Sequence, residues 1–151
     1  MTEPNLACCV FCGIIAGTEP ATIAREWAEA VAFVPLDPVV DGHVLVVPRE
    51  HVRDAVQRPC VTAVVMAHAA ELASEYSSSN ILTSVGAPAT QSVFHLHVHV
   101  VPRQAGDQLM LPWGTTGDPH EPHRCKGMDQ LEAELAEYRA APRVTSPVEA
   151  A

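Results

Sequence analysis

A chain of 151 residues is long enough to bury a core and fits one domain with a short tail. Its formal net charge of -9, with only nine Lys and Arg, excludes a broad electrostatic footprint for nucleic acid or an anionic membrane, so any phosphate site must be local. The opening MTEPNLACCV has no basic leader region, and the apolar run from Leu6 to Gly17 is too short to cross a bilayer, so a soluble cytoplasmic protein is expected.

In chain order, VFCGIIAGTEPA predicts a short helix ending near Gly13 to Gly17, and TIAREWAEAVAFVP two strands around an Ala28-Glu29 turn. LDPVVDG is turn-rich, and HVLVVP is a strand closed by Pro48, with His43, Leu45 and Val47 on one face. Val61, Val65, His68, Leu72 and Tyr76 recur at helical spacing, making Cys60 to Tyr76 the main helix, which SSSN ends. ILTSV reads as a strand, GAPAT as a loop, and SVFHLHVHVVP as a long strand ended by Pro102. Residues 104–127 show no period; Met128, Leu131, Leu135 and Tyr138 mark a C-terminal amphipathic helix. We therefore expect one α+β domain over residues 1–140, with an antiparallel sheet and helices on one face, and a flexible tail over 141–151.

Along the last strand, His95, His97 and His99 fall on one face, and Phe94, Leu96, Val98 and Val100 on the other. The pattern gives one apolar core face and one row of imidazoles open to solvent or a ligand. A lone histidine in a strand is most simply a hydrogen-bonded core residue. Three in alternation must share protons or find ligands, which leaves metal binding or phosphate chemistry. A metal held by all three needs a fourth ligand, and no carboxylate lies on this strand. Phosphoryl or nucleotidyl transfer needs a neutral imidazole nucleophile, a partner fixing its tautomer, and donors for phosphate oxygens. Gln91, Ser92 and the flanking histidines could supply those donors.

Among the five cysteines, Cys9 and Cys12 form a Cys-x-x-Cys pair, which in a reducing compartment suggests metal binding or redox chemistry before a disulfide.

His95-Leu96-His97-Val98-His99-Val100-Val101 resembles the His-x-His-x-His-x-x motif of the histidine triad family of nucleotide hydrolases. CVFCGIIAG at 9–17, DGHVLVVPREHV at 41–52 and QSVFHLHVHVVPR at 91–103 occur in that family's order and spacing. The resemblance implies an α+β fold, usually as a homodimer, and a middle histidine, here His97, that attacks the α-phosphorus to form a nucleotidyl-histidine which water hydrolyses to a nucleoside monophosphate. By the same resemblance His99 contacts phosphate and the leaving group, Gln91 and Ser92 bind phosphate or leaving group, and His43 stands beside the triad. Histidine at position 99, where the related transferases carry Gln, favours hydrolysis over transfer. The sequence looks most like the purine nucleoside phosphoramidase branch, so the expected partner is a purine nucleotide or nucleoside phosphoramidate.

Many bacterial-type members of that family hold a structural zinc through positions matching Cys9, Cys12, His51 and His95. Two thiolates and two imidazoles are a complete tetrahedral set, the closed shell of a structural Zn2+. His95 would then orient the site from a metal-bound position. Cys8 stands out of register with the pair. His120, His123 and Cys125 match no named site and read as a solvated loop, His68 as a packed histidine, and Cys60 as a buried or capping-turn residue.

Three positions depart from the family pattern. Pro35 stands where related phosphoramidases carry an Asp that binds the ribose hydroxyls; Asp37 follows two residues later, on the same face only if the chain stays extended. Ser84 replaces an Asn and Thr90 a Gly beside the phosphate loop. These changes motivate an alternative function, a nucleotide-binding or protein-interaction module with little turnover. A zinc-dependent redox or regulatory protein built on the Cys pair is a third.

Overall fold

The structure, a computed structural model, describes residues 9–111. The chain divides into two compact units, Met1–Gln108 and Leu109–Ala151. The second is almost wholly outside the described residues. So are the expected helix from Met128, the tail, and the cluster of His120, His123 and Cys125.

Helix α1, Val10–Ala16, stops where Gly17 takes a left-handed conformation, φ 74°, which a Cβ would penalise. Two strands follow, β1 Thr22–Glu26 and β2 Ala30–Val34, paired antiparallel through a tight turn in which the Trp27 N–H donates to the Ala30 carbonyl. β3 Val44–Pro48 pairs antiparallel with β2 and ends at Pro48, which has no N–H to extend the ladder. Pro59 opens α2, Pro59–Ala73, at the position where a missing N–H costs nothing. β4 Ser79–Leu82 and β5 Val98–Pro102 complete a five-stranded antiparallel sheet of order β1-β2-β3-β5-β4. Among the described residues no helix is long and apolar enough to cross a membrane.

Alternation along the strands splits the sheet into two faces. Ala30, Ala32, Val44, Val46, Val98 and Val100 point one way and pack against Val65, Ala69 and Leu72 of α2. Val31, Phe33, Leu45 and Val47 point the other way, where Phe11 of α1 covers them. Thus α2 lies across one face, and α1 covers the opposite one with the buried Phe11 ring and the half-buried Ile14 and Ile15. Two expectations shift in detail. The strand expected at ILTSV runs over Ser79–Leu82 instead, two residues earlier. The long histidine strand is shorter: regular pairing begins at Val98, because Leu96 N–H donates to the Val52 carbonyl and the Thr83 hydroxyl donates to the His97 carbonyl. Leu96 is therefore tied to the loop after β3, and His97 to the segment after β4, outside the regular ladder.

His68 is packed as expected, stacked on Trp27 at 4.3 Å. Cys60 is exposed at the start of α2, not buried. Phe94, expected on the core face, is 47% exposed, with the Arg53 guanidinium 5.9 Å from its ring.

Candidate active site and metal centre

The three histidines are not an open row. His95 is 0% exposed and His97 6%, and only His99 is partly open. They nevertheless gather on the sheet face opposite α2: Leu45 pairs with His99 in register, and the His97 ring lies 5.2 Å from that of His99. Phe11 closes over this group, edge to face with His95 at 5.9 Å and His97 at 5.4 Å. Position alone did not mark Phe11 as part of the site; its place between the two cysteines is the signal that could have.

Hydrogen bonds assign the ring nitrogens. A carbonyl oxygen only accepts, so the 2.8 Å contact from His97 Nδ1 to the His95 carbonyl fixes the proton on Nδ1. In the neutral ring that leaves Nε2 of His97 with an unshared pair. Similarly, His95 Nε2–H donates to the Pro48 carbonyl at 2.9 Å, which frees His95 Nδ1 as a ligand atom. His43 Nδ1 accepts from the Val39 N–H at 3.2 Å, and His43 Nε2 lies 3.0 Å from His99 Nδ1.

Burial, then the neighbouring His97 and His43, hold the His99 imidazole down to about 4, and burial also lowers that of His43. The pair is thus neutral near pH 7. Burial chiefly, with His51 and His97 adding, holds His95 down to about 4, against the opposing effect of the Pro48 hydrogen bond.

Cys9, Cys12, His51 and His95 come together, their ligand atoms all within 4.8 Å of one another. Cys9 and Cys12 sit at the start of α1, His51 just beyond β3, and His95 in the loop before β5. The Cys9 and Cys12 sulfurs each stand 3.5 Å from His95 Nδ1, and Cys12 Sγ stands 3.2 Å from His51 Nδ1. A tetrahedral ion with Zn–S bonds of ~2.3 Å and Zn–N bonds of ~2.0 Å has S to N edges of ~3.6 Å. These residues are therefore close enough, and correctly tautomeric at His95, to bind a metal. Burial, then the hydrogen bond and charge of Cys9, push the Cys12 thiol up to about 11.

The remaining expected site residues divide. Ser92 is exposed, three residues before His95 in the chain. Gln91 is buried and its amide is spent on backbone: Oε1 accepts from Gly86 N–H at 2.8 Å, and Nε2 donates to the Arg53 carbonyl at 2.8 Å and the Val93 carbonyl at 3.1 Å. Both of its N–H groups meet backbone carbonyls, which ties Gln91 to the shape of the loop. Thr90, where a glycine was noted as the family residue, takes φ 70° at the end of a short 3-10 turn, Ala87–Ala89. Pro35 is half-buried, and Asp37 is exposed on a bend, so the extended geometry that would align Asp37 with position 35 does not hold.

A model of the HIT domain matches residues 16–106. Protein hit of Bacillus subtilis is 34% identical over 122 residues, which cover 76% of this chain and 84% of that protein. Adenylylsulfatase HINT3 of Arabidopsis thaliana is 32% identical over 108 residues, 67% of this chain and 55% of that longer protein. Among solved structures, a Zn-bound histidine triad family protein from Mycobacterium smegmatis superposes with a TM-score of 0.63 at 31% identity, covering 90% of this chain and 99% of that one. With its imidazoles gathered on one sheet face and these relatives, the chain belongs to the histidine triad, or HIT, domain family.

Proposed function

We propose that the protein hydrolyses a nucleoside phosphoramidate or a related purine nucleotide, with His97 as nucleophile. The observation that carries this reading is the His97 Nδ1 bond to the His95 carbonyl, which leaves an unprotonated Nε2 at neutral charge. That lone pair attacks the α-phosphorus, and the bond to the leaving group breaks with its electron pair departing on the leaving group. Water then attacks the nucleotidyl-histidine; the P–N bond breaks, its electrons return to Nε2, and a nucleoside monophosphate is released. Overall one water is consumed, its hydroxyl on phosphorus and its proton on the leaving group. His99 faces the reacting phosphate beside His97, Ser92 donates to its oxygens, and His43 orients His99. The name of the Arabidopsis relative, an adenylylsulfatase, supports an adenylyl substrate.

The metal we assign is a structural Zn2+ on Cys9, Cys12, His51 and His95, supported by the donor set and by the Zn-bound relative. A closed four-residue shell has no open position for substrate, so its contribution is to fix α1 and the His95 loop. The same reading carries a homodimer in the cytoplasm, the former checked by light scattering.

Incubation with a fluorogenic adenosine phosphoramidate tests the activity. Turnover that His97→Ala abolishes, with nucleotide binding retained, is expected. Absence of turnover together with absence of a mass increase from a trapped nucleotidyl adduct would leave the alternative, a binding module with little turnover.

A further inference from the structure

We infer that the main-chain amide of Val39 sets the tautomer of the His43–His99 pair and thereby fixes a neutral hydrogen-bond donor at His99 Nε2. The purpose of this device rests on the hydrolase reading above; its geometry does not.

The Val39 amide can only donate, and it lies 3.2 Å from His43 Nδ1. Nδ1 must therefore present a lone pair, and a neutral His43 carries its proton on Nε2. That N–H meets His99 Nδ1 at 3.0 Å, so His99 Nδ1 accepts and the His99 proton sits on Nε2. Each alternative fails at the same amide. Moving the His43 proton to Nδ1, or adding a second proton to His43, turns an N–H toward the Val39 N–H. Protonating His99 on Nδ1 requires a lone pair on His43 Nε2, which again puts the His43 proton on Nδ1. Both rings are largely withdrawn from water, His43 buried and His99 partly so, and no carboxylate among the described residues bonds to either to compensate a misplaced proton.

One consequence concerns substrate class. Giving up the Nε2 proton would leave His99, or by relay His43, as an imidazolate. His99 therefore stabilises charge on the leaving group or phosphate by hydrogen bonding, as a neutral imidazole can, and does not supply the leaving-group proton. Substrates whose leaving groups depart without needing a proton, such as mixed anhydrides or amines of low basicity, are favoured. The device ties this donor to the segment between β2 and β3, where Val39 is 54% exposed.

Long-range 1H–15N spectra of the histidine rings in the full-length protein at pH 7 read the tautomers without substrate. The expected result is a proton on Nε2 of both His43 and His99; a proton on Nδ1 of His99 overturns the inference. Val39→Pro removes the amide, and the Nε2–H signature of His99 should give way to a mixture, with kcat falling about tenfold. Val39→Ala keeps the amide and should keep the signature; its loss there, or its full retention in folded Val39→Pro, also overturns the inference. If Val39→Pro does not fold, the wild-type spectrum decides. The Nε2–H signature with turnover of neither an adenosine phosphoramidate nor an adenylyl mixed anhydride would sink the hydrolase reading alone.

Discussion

The ring of Phe11 meets the imidazole of His97 edge to face, 5.4 Å between centroids at an interplanar angle of 81°. Phe11 lies between Cys9 and Cys12 in sequence and packs equally on Phe33, 5.3 Å away. One side chain thus joins the cysteine-bearing end of α1 to the sheet and to the His97 imidazole. Phe11→Ala should cost about 3 kcal/mol in denaturant unfolding and lower kcat more than it raises KM, because the His97 ring loses a wall while the nucleotide loses no direct contact. Unchanged kcat in a stable Phe11→Ala protein would break the link between α1 and the proposed role of His97.

Metal removal should act through stability first. A chelator is expected to lower Tm by on the order of 10 °C, equivalent to roughly 3 kcal/mol in a chain of this length. Cys12→Ser should lose the bound ion and start from the lowered Tm, with no further response to chelator. Elemental analysis beside the melts checks both, and a wild-type protein with no stoichiometric metal refutes the site.

Thr90 has a β-branched side chain at φ 70°, ψ 17°. The left-handed region costs a non-glycine residue about 1–2 kcal/mol. Thr90→Gly should accordingly stabilise the protein by about 1 kcal/mol, measured as a higher denaturation midpoint at constant slope. A loss of stability on that change would mean that the Thr90 side chain contributes more than its backbone strain takes away.

Acid should weaken the fold by a route the triad provides. His99 is held down to about 4 by burial and by His97 and His43, and burial lowers His43 too. In the unfolded chain these rings titrate near ~6.5. Between those limits the unfolded state binds the protons, so this stability is fully present above pH ~6.5 and is lost as the pH falls toward 4. Unfolding free energies taken from pH 7.5 to 4 should show that decline, and His99→Asn should make it shallower. An equal slope in the variant would remove His99 as its source.

How much of this was legible in the sequence depends on whether a residue acts through its side chain or through its backbone surroundings. Cys9, Cys12, His51 and His95 carry side chains with few uses in that company, and they meet in space. β2 and β3 announced themselves by apolar runs, and Gly17 by its place after a short helix. The loop role of Gln91 was not legible: a polar residue beside a histidine motif reads as a ligand, and only the fold brings its amide to the Arg53 and Val93 carbonyls. The bend of residues 91–97 was invisible for a related reason: it answers to the Val52 carbonyl and the Thr83 hydroxyl, distant in sequence, while local alternation alone favours a straight strand. The Val39 amide has no sequence signature at all, since every residue except proline carries one.

The two faces of the sheet answer to different selection. On one side, Ala30, Ala32, Val44, Val46, Val98 and Val100 pack with one another, with the apolar face of α2 and with Val52 and Leu96 from the loops. On the other, Val31, Phe33, Leu45 and Val47 run up to Phe11 and the imidazoles. In a saturation-mutagenesis library scored separately for cellular abundance and for turnover, β2, β3 and β5 should alternate residue by residue. Variants on the α2 side would disappear from the abundance map, while conservative ones on the histidine side would remain abundant and inactive.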